Sequence, residues 1–140
     1  MADKLGMGVI GCGGISSAHL PAQHTIEGMR TVAVCDLNQD AARAAADEYH
    51  VPAVYADYAD LLADESVDAV AVLLPHHLHR DCAVAAAAAG KHVLCEKPMA
   101  TSLQDTDDMI ATADEAGVVL MIGQILRFRP ANIRARELVL

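Results

Sequence analysis

Six short apolar runs alternate along the chain with stretches of helical periodicity, and this alternation decides the architecture. The runs are residues 8–10, 31–35, 53–55, 69–74, 92–95 and 118–122. Between them, one helix places Ile15, Ala18, Ala22 and Ile26 on one face, contains Pro21, which is expected to kink it, and closes at Gly28. An Ala-rich helix follows over 38–49, then a short one capped by Asp57 that carries Leu61 and Leu62. A helix over 77–89 ends at Gly90. The last lies behind Thr101-Ser102-Leu103-Gln104, which has the spacing of a capping box; it presents Met109, Ile110, Ala113 and Ala116 and ends at Gly117. Residues 69–74 are apolar without interruption, as a strand covered on both faces requires. Strands joined by helices imply right-handed crossovers. The expected fold is therefore α/β, a doubly wound parallel six-stranded sheet with helices on both faces.

A chain of 140 residues suits one domain. With one Phe and no Trp, its core is built from Ala, Val, Leu, Ile and Met. The formal charge of −9 excludes nucleic acid, whose phosphates demand a basic footprint, and an anionic membrane surface. An anionic small molecule is not excluded, because backbone N–H groups bind phosphate without side-chain charge. Cys12, Cys35, Cys82 and Cys95 form no C-x-x-C pair and are read as reduced thiols, small buried hydrophobes rather than a disulfide framework, in a cytoplasmic protein. Met1-Ala2-Asp3-Lys4 lacks the layout of a signal peptide, and no apolar run approaches the ~20 residues of a membrane helix.

The turn after the first strand reads Gly11-Cys12-Gly13-Gly14-Ile15-Ser16. Between strand and helix this is the setting of a dinucleotide-binding fingerprint. Gly11 permits the tight turn, and Gly13 lets a pyrophosphate approach the backbone at a helix N-terminus, beside Gly14 and Ile15. Ser16 stands at the third fingerprint position, where Gly or Ala is usual. A tight turn with no ligand is the alternative for the turn alone. Asp36, at the end of the second strand, stands where the ribose-binding acid of such a unit belongs. Its carboxylate would accept both ribose hydroxyls and repel a 2′-phosphate, and no Arg follows it directly. NAD is therefore expected, with NADP disfavoured.

Gly90-Lys91-His92-Val93-Leu94-Cys95-Glu96-Lys97-Pro98 delivers Glu96 and Lys97 to the carboxyl edge of the sheet, where ligands of such folds bind. A Lys there hydrogen-bonds a substrate hydroxyl and shares its proton, or is a surface Lys in a turn. His76, His77 and His79 crowd one turn with Asp81 as the nearest carboxylate. They are read as helix-entry residues, and no metal site is expected.

Taken together, Gly11-Cys-Gly-Gly-Ile-Ser-Ser-Ala-His19, Val34-Cys35-Asp36, Pro75-His76-His77-Leu78-His79, the Glu96-Lys97-Pro98 segment and Arg127-Phe128-Arg129-Pro130 resemble the successive motifs of the glucose–fructose oxidoreductase, inositol dehydrogenase and MocA (Gfo/Idh/MocA) family, over essentially the whole chain. The resemblance implies an N-terminal NAD(P)-binding Rossmann domain over 1–123, with 124–140 leading toward a C-terminal domain that this chain does not contain. It implies that Lys97 is catalytic and contacts the reacting hydroxyl, that Glu96 lies at the nicotinamide end, and that 75–79, with Pro75, His76 and His79, run along the cofactor. It also implies a cis Lys97–Pro98 bond. Leu74-Pro75-His76 departs from the family's common Thr-Pro-Asn, which bears on the nicotinamide-side contacts.

The absent domain binds substrate, mediates homo-oligomerisation and brings an Asp and a His to the Lys. This chain has no His after His92, and Asp105, Asp107, Asp108 and Asp114 fall on one helix. The expectation is an oxidoreductase acting on the CH–OH groups of a sugar or polyol, of which the 140-residue chain holds the cofactor half and turns nothing over by itself. The rivals are a stand-alone NAD-binding module and a structural domain without cofactor. Ile133, Leu138, Val139 and Leu140 lie on a terminal helix after Pro130 and are expected to remain uncovered.

Overall fold

The structure, a computed structural model, describes residues 4–139; the expectations placed on Met1, Ala2, Asp3 and Leu140 lie outside that range. Six parallel strands, β1 (Leu5–Ile10), β2 (Met29–Cys35), β3 (Ala53–Tyr55), β4 (Ala69–Val72), β5 (His92–Cys95) and β6 (Leu120–Ile122), form one sheet in the order β3-β2-β1-β4-β5-β6. The helices are α1 (Ser16–His24), α2 (Gln39–Tyr49), α3 (Tyr58–Ala63), α4 (His79–Ala88), α5 (Leu103–Ala116) and α6 (Pro130–Val139). The strand order reverses between β1 and β4, so the loops leaving their carboxyl ends part and open a crevice.

The period-2 rule of a strand sorts the core into two layers. Val9, Val34, Ala69 and Ala71 face α1 and α2, packing with Leu20 and Ala46. Their neighbours Ile10, Cys35, Val70 and Val72 face the other way and meet Leu61, Leu62, Cys82, Ala86 and Met109 of α3, α4 and α5. Covering both faces explains why β4 carries no polar residue. Each fully buried side chain of the size of Leu20, Leu61 or Met109 contributes about 1.5–3 kcal/mol. All four cysteines are free; Cys35, Cys82 and Cys95 are buried and Cys12 is half-buried. No helix among the described residues is long and apolar enough to cross a membrane.

The cap expected at Asp57 is met through Ala59 N–H, and Asn38, read only as the start of a helix, caps α2 through Ala41 N–H. Gly117 ends α5 in the left-handed region, and Gly90 follows α4 at φ 75°. Three details differ. The apolar face expected on α1 is solvent-exposed: Ile15 is 45% and Ile26 48% exposed, Ala18 and Ala22 are exposed, and Ile26 lies beyond the helix end. The buried face is Ser16, Leu20 and Gln23, because Leu20 alone supplies the bulk that the sheet requires there. The α5 cap is Ser102, whose Oγ accepts Asp105 N–H at 3.1 Å, and not Thr101. Finally, the helix expected over 77–89 begins as a tighter 3-10 turn, His76–Leu78, before α4. Pro21 lies inside α1, which continues through it to His24. The Lys97–Pro98 bond is cis.

Candidate active site

The crevice between β1 and β4 is floored by Gly11. Its φ of 104° and its closeness to Leu73, whose carbonyl oxygen would stand 2.5 Å from a Cβ at position 11, both demand glycine. Gly13 and Gly14 differ. Neither has a positive φ, and a Cβ on either would meet no atom within 4 Å. The fold itself thus makes no demand for glycine at these two positions. Among the described residues no acceptor meets the N–H groups of Gly13, Gly14 or Ile15. Ser16 is buried and its Oγ donates to Gly13 O at 2.6 Å, which ties the turn to the first residue of α1. The turn is an open row of uncommitted donors at the positive end of a helix, a fitting cradle for a pyrophosphate.

Asp36 is half-buried at the end of β2. One oxygen accepts Cys12 N–H at 2.7 Å and the other accepts Asn38 N–H at 2.8 Å. A carboxylate offers about four lone-pair sites, so two remain for a ligand's hydroxyls. Beside it opens a cavity of about 750 Å³, within the ~300–1,000 Å³ usual for small-molecule sites. Gly11, Gly13, Asp36, Pro75 and Leu78, the last two from the 75–79 stretch, line it, together with Leu37, Tyr58, Leu74, Asp57 and Asp81, which sequence reasoning did not place there. Asp57 was read only as a helix cap, and nothing in its pattern distinguishes a cap from a cap at a cavity rim. The lining carries three carboxylates and no Lys or Arg. Burial, then neighbouring Cys12, Asp36, Asp57 and Asp60, pushes the Cys35 thiol up to about 12.

Glu96 and Lys97 emerge from β5 along the same sheet edge. Lys97 is exposed, and among the described residues its Nζ meets no partner. Glu96 Oε2 accepts Lys97 N–H at 3.0 Å, and Oε1 lies 2.9 Å from His19 Nε2 of α1. Burial works against the Glu96 carboxylate, but the His19 bond, the Lys97 N–H and the charges of His19 and Lys97 hold it below the usual range. His79 does not face the cavity as expected. It is fully buried, with Nδ1 2.9 Å from Pro98 O and Nε2 2.8 Å from Leu74 O, and so joins the two turns flanking the crevice. Either tautomer donates to one of these carbonyls. His76 is exposed and packs edge-on against His79, while Pro75 and Leu78 take the cavity wall. No metal-binding cluster occurs among the described residues.

A doubly wound sheet, a glycine turn at its switch point and an acid at the end of β2 define a dinucleotide-binding Rossmann domain. Residues 5–124 match the family described as the oxidoreductase family with NAD-binding Rossmann fold, GFO_IDH_MocA. The chain belongs to this family. It is 41% identical over 133 residues to D-xylose 1-dehydrogenase (NADP(+)) 2 of Haloferax volcanii, spanning 94% of this chain and 41% of that protein. It is 36% identical to inositol 2-dehydrogenase of Salmonella typhimurium, over 94% of this chain and 40% of the relative. The WlbA dehydrogenase of Bordetella pertussis, solved with NADH and UDP-GlcNAcA, superposes with a TM-score of 0.84 at 36% identity, covering 91% of this chain and 37% of that one. The chain therefore spans about 40% of the length of the relatives it matches.

Proposed function

We propose that this chain is the cofactor-binding part of an oxidoreductase that oxidises a secondary alcohol of a sugar or polyol, or runs the reverse reaction. The observation that carries this reading is the pair Gly13 and Gly14, glycines that the fold does not need beside donors that the fold does not use. The N–H groups of Gly13, Gly14 and Ile15 would hold the pyrophosphate, and Asp36 would hold the adenosine ribose. Bound nicotinamide supplies the hydride acceptor. Lys97, exposed at the sheet edge beside Glu96, would hydrogen-bond the substrate hydroxyl and take its proton. Relatives named for xylose and inositol support the substrate class.

The carboxylates of Asp36, Asp57 and Asp81 around one cavity without Lys or Arg favour NAD, since a 2′-phosphate would meet negative charge on each side. The xylose relative is named for NADP(+), so cofactor choice is argued from these residues alone. Four free thiols support placement in the reducing cytoplasm. The full-length protein would gain its substrate site and its homo-oligomer contacts from a further domain.

A second reading, a module that holds the dinucleotide without turnover, is favoured by one observation. The aspartates after Lys97 lie on α5, where Asp108 pairs with Arg80 at 2.7 Å, and among the described residues none of them forms an ion pair or hydrogen bond with Lys97. Titration of NADH and NADPH against the chain tests the binding step. NADH should bind at least about tenfold more tightly, a difference of about 1.4 kcal/mol. Equal or tighter NADPH binding refutes the preference for NAD, and failure of both refutes the reading. NADH production from xylose or inositol by the chain alone would exclude the module reading.

A further inference from the structure

Two hydrogen bonds connect the phosphate turn to the backbone of Lys97. Ser16 opens α1, and one turn further along the same helix His19 projects toward β5, with Nε2 2.9 Å from Glu96 Oε1. The other oxygen of that carboxylate accepts Lys97 N–H at 3.0 Å. The two side chains are 18% and 12% exposed, so water screens the pair only in part. Gly123, buried at the end of β6 without a positive φ, makes room for the arrangement; a Cβ there would stand 3.3 Å from Glu96 Oε1. The close approach of Gly123 and the His19 bond both bear on the orientation of the Glu96 carboxylate.

We propose that His19 is a positioning residue, which couples occupancy of the dinucleotide turn to the placement of Lys97 through Glu96. The helix that receives the phosphates at its N-terminus is the same helix that grips Glu96, so a shift of α1 against its ligand is passed to the Lys97 backbone. The inference rests on the dinucleotide reading above and adds a role for a residue that touches neither cofactor nor substrate. Unlike a core contact, such a link has to be seen in the response of one site to ligand at the other.

ADP is the probe, because it fills the adenosine and pyrophosphate positions but ends short of the nicotinamide ribose. In amide NMR spectra of the 140-residue chain, saturating ADP should shift the Lys97 amide resonance. His19→Ala should reduce that shift at least about threefold while changing the ADP Kd by less than about threefold. His19→Gln, whose amide still donates to Glu96, should restore the shift, and Glu96→Gln should weaken it as His19→Ala does. A Lys97 response that persists in His19→Ala or Glu96→Gln overturns the coupling and leaves dinucleotide binding intact. Failure of ADP to bind the unaltered chain overturns the dinucleotide reading and the inference with it.

Discussion

The Asp36 carboxylate accepts the backbone N–H of Cys12 at 2.7 Å, so the acid at the end of β2 is also a strut under the glycine turn. The proposed ribose contact and the turn geometry therefore draw on the same carboxylate. Asp36→Ala removes this bond and the one from Asn38 N–H, each worth about 0.5–1.5 kcal/mol, and should lower stability by about 1–3 kcal/mol. NADH affinity should fall and the preference over NADPH relax, with binding retained through the turn's N–H groups. Urea unfolding and paired titrations check both effects. An unchanged preference would remove Asp36 from the ribose site.

Gly11 and Gly13 should separate stability from binding. Gly11→Ala forces a Cβ to 2.5 Å from Leu73 O at a φ of 104°, and should cost about 1–3 kcal/mol or more. Gly13→Ala meets no protein atom and should leave the unfolding free energy within about 0.5 kcal/mol. It should nevertheless weaken NADH at least about tenfold, because the methyl occupies the phosphate's approach. Loss of stability without loss of affinity in Gly13→Ala would contradict the cradle.

Alkali should destabilise the chain through its thiols. Burial first, joined by nearby negative groups, raises Cys35, Cys82 and Cys95 from the ordinary 9.0 to about 12, and Cys12 to about 11. The folded chain keeps protons that the unfolded chain releases. This contribution is therefore whole below pH 9 and is lost as pH climbs toward 12, at up to about 1.4 kcal/mol per pH unit per thiol. Urea midpoints at pH 7.5 and pH 10, about one unit above the ordinary thiol value, measure the loss. A thiol reagent at neutral pH should label the three buried cysteines only on unfolding; prompt labelling of all four would be the contrary result.

Removal of everything after Arg129 should be almost free. None of the residues of α6 is buried; Ile133 is 45%, Leu138 70% and Val139 84% exposed. The helix contacts chiefly the preceding turn, where Asn132 Nδ2 donates to Leu126 O at 2.7 Å. The truncated chain should unfold within about 0.5 kcal/mol of the parent and self-associate less, since an apolar patch has been removed. Urea unfolding and sedimentation decide it. A deficit above about 1 kcal/mol would show that α6 stabilises the domain.

The parts readable in advance were those governed by local chemistry. Asp57 and Gly117 act within a few residues of themselves, and the apolar run that holds Val9 and Ile10 marks a strand. The α1 face was misread because Ala18 and Ala22 fit any helix face, and only the sheet selects Leu20. Thr101 and Ser102 both carry a capping hydroxyl; the extended backbone at Ser102, set by the loop before it, decides between them. Of the cavity lining, Gly11, Gly13 and Asp36 were legible from motif spacing, and Pro75 and Leu78 from the family resemblance. The contributions of Tyr58 and Asp81 were not, because neither belongs to a motif and only the packing of α3 and α4 brings their first turns to the cavity. His79 was misplaced because a sequence does not show that two carbonyls would enclose its ring.

Gly13 and Gly14 offer space rather than atoms, and this bears on how the two ends of the cleft can change over generations. Every single-residue replacement at those positions would add bulk where the proposed pyrophosphate approaches, so drift there would have one direction, toward loss. Asp36 contributes a charge as well as two backbone hydrogen bonds, and a replacement that still accepts the Cys12 and Asn38 N–H groups can neutralise that charge while the turn beneath remains. Descendants of such a domain can therefore exchange one dinucleotide for another at the ribose end while inheriting the phosphate turn unaltered.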